Sequence, residues 1–306
     1  MHFKKQTRLM GNQFEFTLIE QNENIAHDLF DVAIDEIKRI EALLTTFSET
    51  SITYIINENA GIKPIEVTDE VFQLIKRSQF ISKITQGAFD LSYGSIDKRF
   101  WNFDLNMTVL PNTETAKKSV ELINYENIIL DEENQTVFLK NKGMRIGFGG
   151  IGKGFAAEMA KKKLIENKVK SGIVNASGDL SAWGFQENGD AWTIGVADPN
   201  QRKSIFSTFK ITNKAVATSG NYEKFVTINN KKYSHTIDPK TGYPISGIKS
   251  VTILADNAEI ADALATPVTV MGIDVGLDFI NQLKTIGCII IDDFDKTYFS
   301  KNITIT

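Results

Sequence analysis

Three stretches of this sequence carry residue types whose spacing suits chemistry on a phosphate ester. Asp262 and Thr266 stand four apart in Ala261-Asp262-Ala263-Leu264-Ala265-Thr266, a run with helical spacing, so both oxygens point to one face. A carboxylate and a hydroxyl are hard oxygen ligands, and a site built on them leaves room for phosphate oxygens and water, as Mg²⁺ prefers. The alternative is a polar helix face on which the threonine bonds back to its own turn. Residues 147–154 read Gly-Phe-Gly-Gly-Ile-Gly-Lys-Gly. They match G-x-x-x-x-G-K-[ST] except at the last place, where Gly154 removes the hydroxyl that binds Mg²⁺ in a P-loop. The run Ile289-Ile290-Ile291-Asp292-Asp293 could pass for a Walker B strand, but Asp293-Phe294-Asp295-Lys296 reads as a tight hairpin turn. What survives the failed motif is its physics. Glycines between a strand and a helix let backbone N–H groups approach an anion at the positive helix end, with Lys153 adding charge. A tight turn with no ligand stays open as the other reading.

The third stretch holds His235, next to Thr236 and just ahead of the turn-forming Asp238-Pro239-Lys240-Thr241-Gly242. An imidazole can take the proton of a hydroxyl nucleophile near neutral pH. It can equally fix the turn by a hydrogen bond. His2 is terminal and His27 stands among acidic residues, so neither points to chemistry. Cys288 is the single cysteine, lies in the apolar run 286–291, and reads as a small buried hydrophobe.

The elements that must hold these groups are mixed. Residues 12–20 alternate as a strand, and about 24–47 place Ile25, Leu29, Ala33, Ile37, Ile40, Leu44 and Phe47 at helical spacing. A helix is expected over about 68–86, closed by Gly87, and a short one over 113–124. Strands are expected at 127–130, 135–140 and 144–148, the last running through the glycine turn into a helix over 151–167. Further strands are expected at 172–176, 192–196, 205–211, 225–228, 233–237 and 249–254. Helices at 257–271 and 273–285 precede a closing strand pair, 287–292 and 297–304. With no regular βαβ alternation, the expected fold class is α+β, with largely antiparallel sheets and flanking helices. One composite domain over 1–306 is expected, in two intimately joined subdomains, about 1–143 and 144–306.

The chain has 306 residues, 42% hydrophobic and 24% charged, which is the balance of a globular protein with a sizeable core. A net charge of −4 gives no basic footprint for nucleic acid. No apolar run approaches the roughly 20 residues of a membrane span. The opening thirteen residues carry basic groups without an apolar core, so they do not read as a signal peptide. The expected place of action is the cytoplasm, or the periplasm or a membrane surface if an export segment precedes this sequence.

Seven segments in order carry a resemblance. They are Leu9-Met10-Gly11, Gly87-Ala88-Phe89-Asp90, the glycine turn, Asn175-Ala176-Ser177-Gly178-Asp179, Ala217-Thr218-Ser219-Gly220-Asn221-Tyr222, Ser234 to Pro244, and Ala261 to Thr266. Together they resemble the ApbE family of FAD:protein FMN transferases, from about residue 9 to 272. The resemblance implies a Mg²⁺-dependent transfer of the FMN half of FAD to a Thr or Ser of an acceptor protein, releasing AMP. It implies metal ligands at Asp262, Thr266 and the Gly150 carbonyl, with Asp262 catalytic through the metal. It implies flavin-binding positions at Met10, Ala88, Phe89, Asp90, Lys153 and Thr236. The family's acceptors carry a D-x-x-[ST]-G-A-[ST]-like motif. The family often has Asp where this chain has Gly147, so one FAD contact differs here. An FAD pyrophosphatase using water, and a carrier that holds FAD without turnover, would use the same residues.

Overall fold

The computed structural model describes residues 1–100, 103–198, 201–220 and 225–303. The chain opens with a hairpin, β1 (His2–Leu9) and β2 (Asn12–Ile19), joined by Met10 and Gly11, both with positive φ. That is a two-residue turn whose twist matches the flanking strands. The strand β1 was not expected from sequence, because its Lys- and Arg-rich run lacks an apolar face. Next come α1 (Glu23–Leu44), α2 (Ile52–Glu58), β3 (Ile65–Glu66), α3 (Asp69–Ile84) and α4 (Thr113–Ser119). The strands β4 (Ile128–Asp131) and β5 (Thr136–Leu139) lead to α5 (Gly152–Glu166). A strand-rich stretch follows: β6 (Gly172–Ala176), β7 (Asp179–Trp183), β8 (Trp192–Asp198), β9 (Gln201–Ile211), β10 (Lys214–Gly220), β11 (Phe225–Ile228), β12 (Lys231–Ser234) and β13 (Ile248–Ala255). The chain ends with α6 (Ala258–Met271), α7 (Ile273–Asn281), β14 (Gly287–Asp292) and β15 (Thr297–Phe299).

An eight-stranded antiparallel sheet, ordered β1-β2-β6-β7-β10-β13-β14-β15, forms the frame. Helices α1, α5 and α6 pack on one face, burying Phe14, Phe16, Ile37, Phe155, Leu264 and Val251 in one continuous core. The β8–β9 hairpin covers part of the other face through Trp192, Ile194 and Ile211. Two sheet strands, β7 and β10, were not expected. Their short runs, Asp-Leu-Ser-Ala-Trp and Lys-Ala-Val-Ala-Thr-Ser-Gly, are rich in small residues that lie buried between two layers and so lack alternation. Among the described residues no helix is long and apolar enough to cross a membrane.

Other expectations needed correction. Helix α1 ends at Leu44, so Phe47 is 96% exposed in the following loop, and Ile25 faces out as well. Residues 144–148 form no strand. Their backbone hydrogen bonds go to side chains and loops instead. The Ile146 N–H and carbonyl pair with the Asn57 side-chain amide at 2.7 and 3.0 Å, the Arg145 N–H donates to Ser95, and the Gly147 N–H donates to the Leu91 carbonyl. The turn at 293–296 is as expected. Asp292 serves it, accepting from the N–H groups of Phe294 and Lys296 and from the Tyr298 hydroxyl, which leaves no Walker-type role. Cys288 is fully buried, and burial pushes its thiol well above the usual range. Asn221 and Tyr222 lie outside the described residues.

Candidate functional site

Four distant segments converge on one cleft of about 430 Å³. Ala88, Phe89 and Asp90 form one wall, where the chain leaves α3. Gly147, Gly149 and Gly150 form the floor. His235 and Thr236 make the facing lip, and Thr266 and Val270 reach in from α6. The glycines have local reasons. A Cβ at Gly150 would lie 3.5 Å from the Phe89 ring, and one at Gly147 or Gly149 would meet nothing within 4 Å, so these positions stay open to a ligand. An aspartate at position 147, expected from the resemblance, would have room.

Beside the floor lies a buried charged cluster. Helix α5 starts at Gly152, and the Gly154 N–H donates to Asp262 Oδ2 at 2.9 Å. The anion at this helix end is therefore a side chain of the protein itself. The missing P-loop hydroxyl has a steric explanation. A Cβ at Gly154 would sit 2.1 Å from the Ala258 carbonyl oxygen and 2.7 Å from the Asp262 Cβ. Glycine lets α5 and α6 touch backbone to backbone.

Lys153 Nζ is paired with Asp179, which is 3% exposed at the start of β7. Burial alone would lower the Lys153 ammonium, but the carboxylates of Asp179 and Asp262 outweigh it and hold it above its usual value. Burial pushes the Asp179 carboxyl up, against the opposing charge of Lys153. Asp262 is pushed up to about 7, first by burial and then by Asp179, with Lys153 and the backbone N–H groups opposing. Two buried carboxylates thus lie around one ammonium: Asp179 is paired with it, and Asp262, raised to about 7, is a carboxyl that a bound cation would help to ionise.

The Asp262 carboxyl, with the Thr266 hydroxyl one helical turn away and the Gly150 backbone in the floor, is a donor set of hard oxygens that fits a divalent cation. Among the described residues no group of three or more His, Cys, Asp or Glu could hold a metal by themselves. The fit rests on one carboxylate with neutral oxygens.

Asp90 is buried and fully occupied. It accepts from the Ser92 N–H and hydroxyl at 2.8 and 2.6 Å and from the Tyr125 N–H at 2.9 Å, while burial pushes its carboxyl up. His235 is exposed at the mouth and meets Phe103 edge-on at 6.3 Å. The turn after it is tightly tied. Asp238 accepts from the Lys240 N–H at 2.8 Å and the Thr241 hydroxyl at 2.9 Å, and Gly242, with positive φ, presses on the Ala116 carbonyl of α4.

The structure thus gathers Ala88, Phe89, Asp90, Gly150, His235, Thr236 and Thr266 around one cleft. Lys153 and Asp262 lie in the adjoining cluster, and Met10 is outside the lining, its methyl near Gly152 at the start of α5. Sequence reasoning assigned no role to Asp179 or Tyr93. The first stood in a noted segment as an acidic residue after glycine. The second has no local signal, because its partner is 144 positions away.

A family model described as the ApbE family matches residues 10–290. An FAD:protein FMN transferase of Klebsiella pneumoniae (strain 342) is 29% identical over 285 residues, covering 92% of this chain and 87% of that protein. One from Treponema pallidum (strain Nichols) is 26% identical over 283 residues, covering 87% and 77%. The crystal structure of the ApbE protein of Thermotoga maritima superposes with a TM-score of 0.87 at 28% identity, over 98% of this chain and 97% of that one. The flavin transferase ApbE of Vibrio cholerae shares the fold, with a TM-score of 0.85 at 22% identity, over 99% and 98%.

Proposed function

The chain belongs to the ApbE family, and from that premise we propose that it transfers the FMN half of FAD to a Thr or Ser hydroxyl of an acceptor protein, releasing AMP. The observation that carries this reading is the convergence of Ala88–Asp90, the glycine floor, His235–Thr236 and Thr266 on one cleft beside a buried cluster of Lys153, Asp179 and Asp262.

In this reading the Ala88-Phe89-Asp90 wall and Thr236 hold FAD, and Met10 closes the far side of the glycine turn. Lys153 holds its charge at the start of α5, fixed there by Asp179, and supplies a cation close to the diphosphate. Asp262, Thr266 and the Gly150 carbonyl would hold Mg²⁺, which supplies charge to neutralise the diphosphate as its bond breaks. His235 takes the proton of the acceptor hydroxyl as the new O–P bond forms, and AMP leaves with the electrons of the broken P–O bond. The acceptor is a separate protein. Thr241, the hydroxyl of the chain's own Asp-Pro-Lys-Thr-Gly turn, donates to Asp238 and is held rigid between Pro239 and Pro244.

The test is the mass of a peptide carrying a D-x-x-[ST]-G-A-[ST] motif after incubation with the protein, FAD and Mg²⁺. A gain equal to FMN, with AMP released, is expected. Free FMN and AMP with unmodified peptide would make the protein a pyrophosphatase. Intact FAD would make it a carrier.

A further inference from the structure

A part-buried hydrogen bond joins the two sides of the cleft. Tyr93 sits in the short helical turn 91–95, whose shape Asp90 sets by accepting from both groups of Ser92 and from the Tyr125 N–H. From that turn the Tyr93 phenol oxygen accepts the N–H of Ile237 at 3.0 Å. Ile237 is the second residue after His235. Neighbouring backbone bonds run within the lip: the Ile245 N–H donates to the Thr236 carbonyl at 2.9 Å and the Asp238 N–H to the Tyr243 carbonyl at 2.8 Å. The Ile237 N–H is the group that turns outward, across to the opposite wall. Tyr93 and His235 line the same cleft.

We propose that Tyr93 is a positioning residue that holds the His235–Thr236 lip against the Ala88–Asp90 wall, and thereby decides whether an acceptor hydroxyl or water attacks the bound flavin nucleotide. This rests on the flavin-transfer reading above. With the lip in place, the acceptor oxygen bonds to the FMN phosphorus, its proton passes to His235, and AMP departs. With the lip loosened, a water molecule takes the acceptor's place. The same P–O bond breaks, one water proton goes to His235, and the products are free FMN and AMP.

The substitution Tyr93→Phe deletes one oxygen and keeps the ring. With FAD, Mg²⁺ and the threonine peptide, the variant should form FMN-peptide about tenfold more slowly, the worth of roughly one hydrogen bond. The share of product appearing as free FMN should rise several-fold, and the FAD dissociation constant should stay within twofold. The double variant Tyr93→Phe/His235→Ala should be no slower than His235→Ala alone, because Tyr93 acts through the lip. A residue of the fold alone would lower the melting temperature but leave the product partition unchanged, and that result overturns the proposal. So would strictly multiplicative rates in the double variant, or loss of FAD binding. If the parent protein forms no FMN-peptide, the transfer reading falls and takes this inference with it. Normal transfer by the parent with an unchanged partition in the variant removes the inference alone.

Discussion

The glycine floor with its charged cluster and the Ser234–Pro244 lip face each other across one cleft, yet they are held in opposite ways. The floor is set by burial. Gly154 lets two helices touch, and the charges of Lys153, Asp179 and Asp262 are satisfied mostly by one another and by a helix end. The lip is set by hydrogen bonds, within its own turn where Asp238 ties Lys240 and Thr241, and from the opposite wall where Tyr93 ties Ile237. Buried charge must be compensated wherever it lies, so a change in the floor that leaves a charge unpaired disturbs fold and chemistry together. A turn built from its own hydrogen bonds can lose a side chain at its mouth and keep its shape.

The largest effect expected is at the floor. Asp262→Asn keeps an oxygen for the Gly154 N–H but removes the carboxyl that can ionise beside a cation, leaving Lys153 and Asp179 as a neutral pair. In chelator-treated buffer the variant should be no less stable than the parent. It should lose the rise in melting temperature that Mg²⁺ gives the parent, and FMN transfer should fall to background. Mg²⁺-dependent transfer by this variant would break the assignment of the floor as the charge-handling side.

At the lip, His235→Ala should slow transfer by about 10²–10⁴-fold, the usual contribution of a positioned base. Melting temperature and FAD affinity should change little, since His235 is exposed at the mouth. A variant within threefold of the parent would end the proposal for this side chain.

Gly154→Ala sharpens the contrast from the other direction. Its new methyl would meet the Ala258 carbonyl oxygen at 2.1 Å, which no rotamer relieves. Overpacking of this kind costs about 1–3 kcal/mol, so calorimetry should show a melting temperature lower by several degrees. An unchanged transition would mean that the α5–α6 contact yields readily and that the floor is softer than its packing implies.

The sequence carried the floor and the lip unequally. Gly147 to Lys153, Asp262 and Thr266 were legible because a helix fixes i,i+4 neighbours and a glycine run marks a close approach. The reason for Gly154 was not legible, because it lies in α6, more than a hundred residues later. The pairing of Lys153 with Asp179 was hidden in the same way, by a sheet register that brings β7 beneath α5. Among the elements, α1 showed its period. In contrast, β7 and β10, buried between layers and rich in small residues, had no alternation to show. Residues 144–148 have the composition of a strand, but their partners are the Asn57 and Ser95 side chains and the Leu91 carbonyl. No local pattern distinguishes such a segment from a ladder strand.

The smallest effect tests the joint between the two sides. Tyr93 is partly buried, and that burial pushes its phenol up to about 12, with the Ile237 N–H opposing the shift and Asp238 adding to it. In the unfolded chain the same phenol ionises near pH 10, about the ordinary value for tyrosine. The folded state therefore keeps its proton where the unfolded state loses it. The resulting stability is fully present below about pH 10 and is lost as pH rises through about 12. Two pH units correspond to at most roughly 2–3 kcal/mol, discounted in practice for residual solvent access. Phenylalanine at 93 cannot ionise, so Tyr93→Phe should lose less stability than the parent between pH 10 and 12, although it starts lower at neutral pH. Urea unfolding at several alkaline pH values would measure that difference, and absorbance near 295 nm should show one of the seven tyrosines titrating late in the parent alone. Parallel pH–stability curves would place the Tyr93 hydroxyl in contact with water, and the joint would then be open at the lip's side and not sealed between the walls.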